Sequence, residues 1–193
     1  MTWLEWLQTV SAPLCFSAAT TGISSDSQLI AVAYYTENGP GLLMKATQEE
    51  DLLPAFEYHG IDVSTNCRLG VQEEEFKEQL ASLFSRHTGL TYNVKFQFQQ
   101  LAQLLEDPSM YDLCVLVKAA ESRMIVPEHA TNSLDTMFRF LVQEGHFGRV
   151  PFKQMLEHRS LSAMPPAGVL PVEHNAECLW RLMQTLASYE LIQ

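Results

Sequence analysis

Residues 16–23, Phe16-Ser17-Ala18-Ala19-Thr20-Thr21-Gly22-Ile23 (FSAATTGI), read as the end of a buried strand running into a glycine turn. Gly22 permits a backbone conformation that a strand-to-loop turn requires. Apolar runs flank the turn, Pro13 to Phe16 before it and Leu29 to Tyr35 (LIAVAYY) after it. A third run, Gly41 to Met44, follows Asn38-Gly39-Pro40, so three consecutive strands joined by short turns are predicted.

Further along, the apolar period lengthens. Phe76, Leu80, Leu83 and Phe84 share one face of a helix over residues 75–84. After a break at Gly89, Thr91 to Val94 read as a short strand. Phe98, Leu101, Ala102 and Leu105 repeat the helical period until Asp107-Pro108 closes it. Tyr111 to Val117 (YDLCVLV) read as another strand, and residues 133–142 as a helix with Ser133 as its cap. Residues 145–168, with Pro151, Pro165 and Pro166, are the least regular and predict short helices and loops. Beyond Pro171, the positions Ala176, Leu179, Trp180, Met183 and Ala187 define a final helix with one buried face. Strands early and helices late predict an α/β domain, a mixed central sheet flanked by helices.

At 193 residues, 47% of them hydrophobic, the chain is of a size for a single domain over 1–193 with a substantial core. Trp3, Trp6, Leu7 and Val10 stand at i, i+3, i+4 and i+7, which predicts an amphipathic extension over 1–12, packed on the domain's own surface or else serving to bind a partner, ahead of a core at 13–188. Twelve Lys+Arg against 23 Asp+Glu give a net charge of −11, which opposes binding to a nucleic-acid backbone and favours a protein partner. Cys15, Cys67, Cys114 and Cys178 form no CxxC pair and have no histidine at metal-ligand spacing, as expected of reduced thiols in a cytosolic protein. With no membrane-length apolar run and no secretory signal, a cytoplasmic location without membrane contact is expected.

Four stretches resemble the DEDDh 3′-to-5′ exonuclease family, of the proofreading epsilon-subunit and ribonuclease T type. FSAATTGI followed by Ser27-Gln-Leu-Ile-Ala-Val-Ala is similar to the family's D-x-E-T-T-G-L and D-x-I-I-E-I-G. His59-Gly60-Ile61-Asp62 is similar to H-G-I-T, Leu90-Thr-Tyr-Asn-Val-Lys-Phe-Gln97 to V-A-H-N-x-x-F-D, and His174-Asn-Ala-Glu-Cys-Leu179 to H-x-A-x-x-D. Their order and separations span roughly Leu14 to Leu186. The resemblance implies a ribonuclease-H-like fold in which four carboxylates hold two divalent ions and a histidine deprotonates the attacking water.

At the matching positions this chain has Ser17, Ala19, Gln97 and Leu179, none of which supplies an anionic oxygen; only His174, matching the general base, is retained. Magnesium is bound through hard, charged oxygens, so the loss of all four should abolish paired-metal binding. Glu177 stands three residues after His174 rather than five, pointing about 200° away on a helix, while Asp26 and Glu173 are expected in loops. The expected catalytic set is therefore none, and the expected metal and cofactor are none. Ser17, Ala19, Gln97, His174 and Leu179 are vestigial positions. Thr21, Tyr92, Asn93, Lys95 and His174 are the candidate ligand contacts, with Lys95 otherwise a solvated cation, Asn93 a strand tie and Phe96 a core plug. The expected function is that of a pseudo-exonuclease, a structural or regulatory subunit that binds protein, whether as a homodimer or with an active exonuclease or polymerase-type partner. Two alternatives are a 3′-to-5′ exonuclease on DNA or RNA with an unconventional Mg²⁺ or Mn²⁺ site, and a non-catalytic binder of single-stranded nucleic-acid ends.

Overall fold

The computed structural model describes residues 10–22, 24, 26–92, 94–106, 108–112, 146–147, 150–151, 165 and 167–188. Strands β1 (Pro13–Thr20), β2 (Leu29–Thr36) and β3 (Gly39–Met44) form an antiparallel meander, as the three early apolar runs predict. Short helical turns follow: α1 (Glu49–Leu52), a 3₁₀ turn (Leu53–Ala55), α2 (Phe56–His59) and α3 (Val63–Leu69). Next come α4 (Glu73–Phe84), β4 (Thr88–Thr91), α5 (Val94–Leu101) and β5 (Met110–Asp112). A small hairpin, β6 (His146–Phe147) with β7 (Val150–Pro151), precedes the long α6 (Pro171–Ser188). The main sheet has the order β3-β2-β1-β4-β5, with β4 and β5 parallel to the central strand β1. Both alternation and helical period place the core on its two faces.

Strand β1 shows why the sheet is covered on both sides. Its side chains alternate faces, so Leu14 and Phe16 pack with Phe76, Leu80, Leu83 and Phe84 of α4, while Ala19 packs with Val172 and Ala176 of α6. Phe16 meets Phe84 edge to face at 5.1 Å. Proline, whose fixed φ suits a first helical position, opens α6, and Glu173 in that first turn accepts the N–H of Leu170 at 3.1 Å. Ala176, Leu179, Trp180 and Met183 are buried, as their spacing predicts.

Three boundaries differ from the sequence reading. The fourth strand runs over Thr88–Thr91 rather than 91–94, with Gly89 inside it. A Cβ at Gly89 would lie 3.0 to 3.2 Å from Phe16, Met110 and Phe84, so this glycine answers a packing need rather than a break. The following helix begins at Val94, four residues before the expected Phe98, and ends at Leu101. Within the irregular stretch, β6 and β7 appear where short helices and loops were expected. Asp112 closes the described part of the strand expected over 111–117; its remainder, the helix at 133–142 and most of the amphipathic extension at 1–12 lie outside the described residues. Among the described residues no helix is long and apolar enough to cross a membrane.

Candidate functional site

Past Cys15, β1 continues for five residues beyond its last pairing with β4. The main-chain groups of Phe16 and Ala18 on that side therefore need other partners. Thr91 Oγ1 donates to the Phe16 carbonyl at 2.9 Å, and Gln97 Oε1 accepts the Ala18 N–H at 3.2 Å. The first turns of α5 thus stand where a neighbouring strand would be. Between this end of β1, α2, α5 and the first turn of α6 lies a cavity of about 150 Å³.

Ser17, Ala19 and Thr20 line the cavity from β1, with the turn at Gly22 beside them. Gly22 does not adopt a left-handed φ. Its requirement is space, because a Cβ there would sit 2.9 Å from Ser27 Oγ. The Thr20 hydroxyl donates to the Gly22 carbonyl, while Thr21 exchanges bonds with Gln28: its N–H donates to the Gln28 carbonyl at 2.9 Å and its Oγ1 accepts the Gln28 N–H at 3.0 Å. The Thr-Thr-Gly frame thus closes the β1 turn together with Gln28.

The opposite wall contains residues that the motifs did not single out as ligand contacts. Tyr58 and His59 of α2, Phe96 of α5 and Asn175 of α6 all line the cavity. His59 is buried; its Nδ1 accepts the Ile61 N–H at 2.9 Å, which leaves the proton on Nε2 to donate to the Leu52 carbonyl at 3.2 Å. Burial, opposed by the bond to Leu52, holds its pKa below the ordinary histidine value. Gly60 ends α2 at φ +66°, where L side chains are disfavoured, and the Asp62 carboxylate caps α3 by accepting the Thr65 N–H at 2.6 Å. That bond, with one to the Thr65 side chain, holds Asp62 below the usual carboxylate range.

The vestigial positions separate into two groups. Ser17 and Ala19 face the cavity, and Gln97 is tied to β1 beside it. His174 is buried with Nε2 3.4 Å from Cys178 Sγ one turn along α6, and its neighbour Asn175 takes the place at the cavity wall. A step of one residue turns a helical side chain by about 100°. Leu179 is 1% exposed, one turn beyond Asn175. Of the candidate ligand contacts, Thr21, Tyr92 and Lys95 are not among the lining residues, Tyr92 being buried and Lys95 exposed, and Asn93 lies outside the described residues. Phe96, expected in the core, lines the cavity instead.

Among the described residues the donors in this wall are hydroxyls, a carboxamide and a neutral imidazole whose two nitrogens are both engaged, a set unlike the charged oxygens that hold divalent cations. The acids weighed as substitutes are turned to other uses: Glu177 Oε1 lies 3.6 Å from Arg181 Nη2, Glu173 is in the first turn of α6 rather than a loop, and Asp26 is exposed. Among the described residues no group of three His, Cys, Asp or Glu side chains is placed to hold a metal ion.

No protein-family profile matches the sequence, and no curated protein matches it either. Solved structures do. A zinc-bound complex of Escherichia coli exonuclease I with single-stranded DNA superposes with a TM-score of 0.58 at 15% identity, over 96% of this chain and 41% of that one. Exonuclease I from Methylocaldum szegediense gives 0.58 at 16% identity, over 94% and 43%. The E. coli enzyme with an oligonucleotide gives 0.56 at 16%, over 93% and 40%. The chain thus spans less than half the length of these proteins. At such identities the likeness shows the fold, which is the exonuclease type of ribonuclease-H-like α/β fold.

Proposed function

We propose that this chain is a catalytically inactive DEDDh-type exonuclease domain, a pseudo-exonuclease that works by binding protein as a structural or regulatory subunit. One observation carries the reading. Among the described residues the wall of the cavity at the end of β1 has no aspartate or glutamate, and the four positions matching the family's carboxylates are two small neutral side chains, an amide occupied by the sheet edge and a buried leucine. A hydrolytic site that activates water through metal ions depends on ligands of the opposite kind. Without an ion to acidify water, a histidine alone does not generate the nucleophile, and His174 is turned toward Cys178. In this reading the domain needs neither Mg²⁺ nor Mn²⁺, and its partner is a second copy, an active exonuclease or a polymerase-type protein.

Incubation of the full chain with a 3′-labelled single-stranded oligonucleotide tests this directly. No shortening is expected with either ion; ion-dependent shortening that disappears in His174→Ala would establish an active exonuclease. A second reading, non-catalytic binding of single-stranded ends, draws on the aromatic rings of Tyr58 and Phe96 in the cavity wall, which offer surfaces on which bases stack, and on the single-stranded DNA held by exonuclease I of the same fold. It predicts salt-sensitive oligonucleotide binding without cleavage.

A further inference from the structure

The helical stretch from Glu49 to His59 has an inner and an outer face. Leu52, Ala55 and His59 point inward and are buried, which completes its contribution to the core. Its outer side nevertheless carries Leu53 and Phe56, one turn apart, at 62% and 46% exposure, while Tyr58, two residues beyond Phe56 and turned away from it, is exposed beside the cavity. Large apolar side chains grouped on a surface that the fold does not need mark an interaction site more often than scattered ones do. Phe56 is held edge-on to the buried His59 ring at 6.3 Å, so part of this face is already ordered.

Along the stretch itself the charge is of one sign: Glu49, Glu50, Asp51 and Glu57 are all exposed and residues 46–67 contain no lysine or arginine, while Arg68 lies beyond it near Asp62. We propose that the outer face of residues 49–58 docks a cationic amphipathic segment of a partner protein, whose apolar side chains cover Leu53 and Phe56 while its lysines or arginines meet the surrounding carboxylates. This rests on the reading of the chain as a protein-binding domain and gives that partner its chemistry. A second copy of the chain, at −11, would bring like charges together, and a nucleic-acid strand would meet the same repulsion.

The probe is a synthetic amphipathic helix of leucine and lysine, titrated into the full chain, beside a leucine and glutamate peptide of the same apolar pattern. Saturable binding of the lysine peptide alone is expected. Leu53→Ser with Phe56→Ser, and separately Glu50→Lys with Glu57→Lys, should each weaken it about tenfold or more. The control, Glu74→Lys with Glu75→Lys on the exposed side of α4, makes the same change in net charge and should leave binding within about twofold. All these side chains are exposed, and unchanged thermal melting shows that the variants fold. Equal weakening by the two charge reversals, binding indifferent to Leu53 and Phe56, or no binding of the lysine peptide would overturn the proposal. So would displacement of the peptide by a single-stranded oligonucleotide, or self-association of the chain through Leu53 and Phe56, since each names another occupant. Oligonucleotide shortening is a separate readout, and its appearance would remove the inactive-enzyme reading without altering the peptide titration.

Discussion

The side-chain carbonyl of Gln97 accepts the main-chain N–H of Ala18 at 3.2 Å, across 79 positions of sequence. It continues the sheet edge where β4 has ended, beside the Thr91 hydroxyl that serves the Phe16 carbonyl. The Gln97 side chain thus supports the strand that frames the cavity. Gln97→Ala leaves a part-buried N–H without its acceptor and should lower stability by about 1 kcal/mol, read from urea unfolding at constant m-value. Gln97→Glu keeps an acceptor of the same reach and should cost less at acidic pH, where its carboxyl is protonated and no buried charge is added. Equal losses in the two variants at that pH would show that the bond to Ala18 is not what Gln97 contributes.

Gly89 gives a second, independent measure of how tightly β1 and β4 are packed. A Cβ there meets Phe16 Cε1 at 3.0 Å, Met110 Cγ at 3.1 Å and Phe84 Cε1 at 3.2 Å. Two of these are ring atoms in an edge-to-face pair with little room to yield. Gly89→Ala should therefore destabilise by about 1 to 3 kcal/mol through overpacking, despite the β-strand setting in which alanine is otherwise favoured over glycine. A neutral or stabilising result in thermal melting would show that the Phe16 and Phe84 rings shift freely.

The buried His59 makes stability depend on pH in a defined direction. In the folded chain its Nδ1 is an acceptor for the Ile61 N–H, and protonation of that nitrogen removes the bond and charges a buried ring. Its folded pKa lies below the ordinary 6.5, so in the window between the two values the unfolded chain binds more protons than the folded one. The contribution of His59 is fully present above 6.5 and is lost as pH falls through the folded pKa. The difference in unfolding free energy between the wild type and His59→Gln should accordingly shrink from pH 7.5 toward pH 5, a range spanning the ordinary histidine titration. A difference that stays constant or grows on acidification would contradict the neutral, doubly bonded ring.

Much of the fold is legible because alternation and period are undiluted where elements are buried. The three early strands, the apolar face of α4 and the buried face of α6 all follow from such spacing. Gly89 misleads because a glycine that makes room for Phe16, Phe84 and Met110 has the same local signature as one that breaks a strand. Helix α5 starts early, at Val94, and positions Gln97 to serve the sheet edge, a tertiary demand with no mark in apolar periodicity. The site was legible as a frame and not as a wall. Ser17 and Ala19 of the motif line the cavity, yet Tyr58, Phe96 and Asn175 enter through helix orientation, which a linear motif does not encode. For His59 a signal was present, in the His-Gly-Ile-Asp stretch, but its bonds to Leu52 and Ile61 are visible only in three dimensions.

The proposal that the cavity is a dismantled metal site can be tested by placing charge in it. Ser17 and Ala19 are 8% and 4% exposed, on the same side of β1 two residues apart. Carboxylates at both positions would face one another across about 7 Å, with few waters to solvate them. Ser17→Asp with Ala19→Glu should cost about 3 kcal/mol or more at neutral pH. The same crowding raises the pKa of both acids above the ordinary carboxylate values, so the penalty should diminish as pH falls through the raised values and one or both become neutral. Manganese offers another relief, by pairing the new anions with a cation, and should raise the melting temperature of the double variant. Wild-type protein should melt at the same temperature with and without manganese. A manganese-dependent rise in the wild type would mean that other acidic residues already supply a cation site, and the reading of the cavity as a dismantled metal centre would fall.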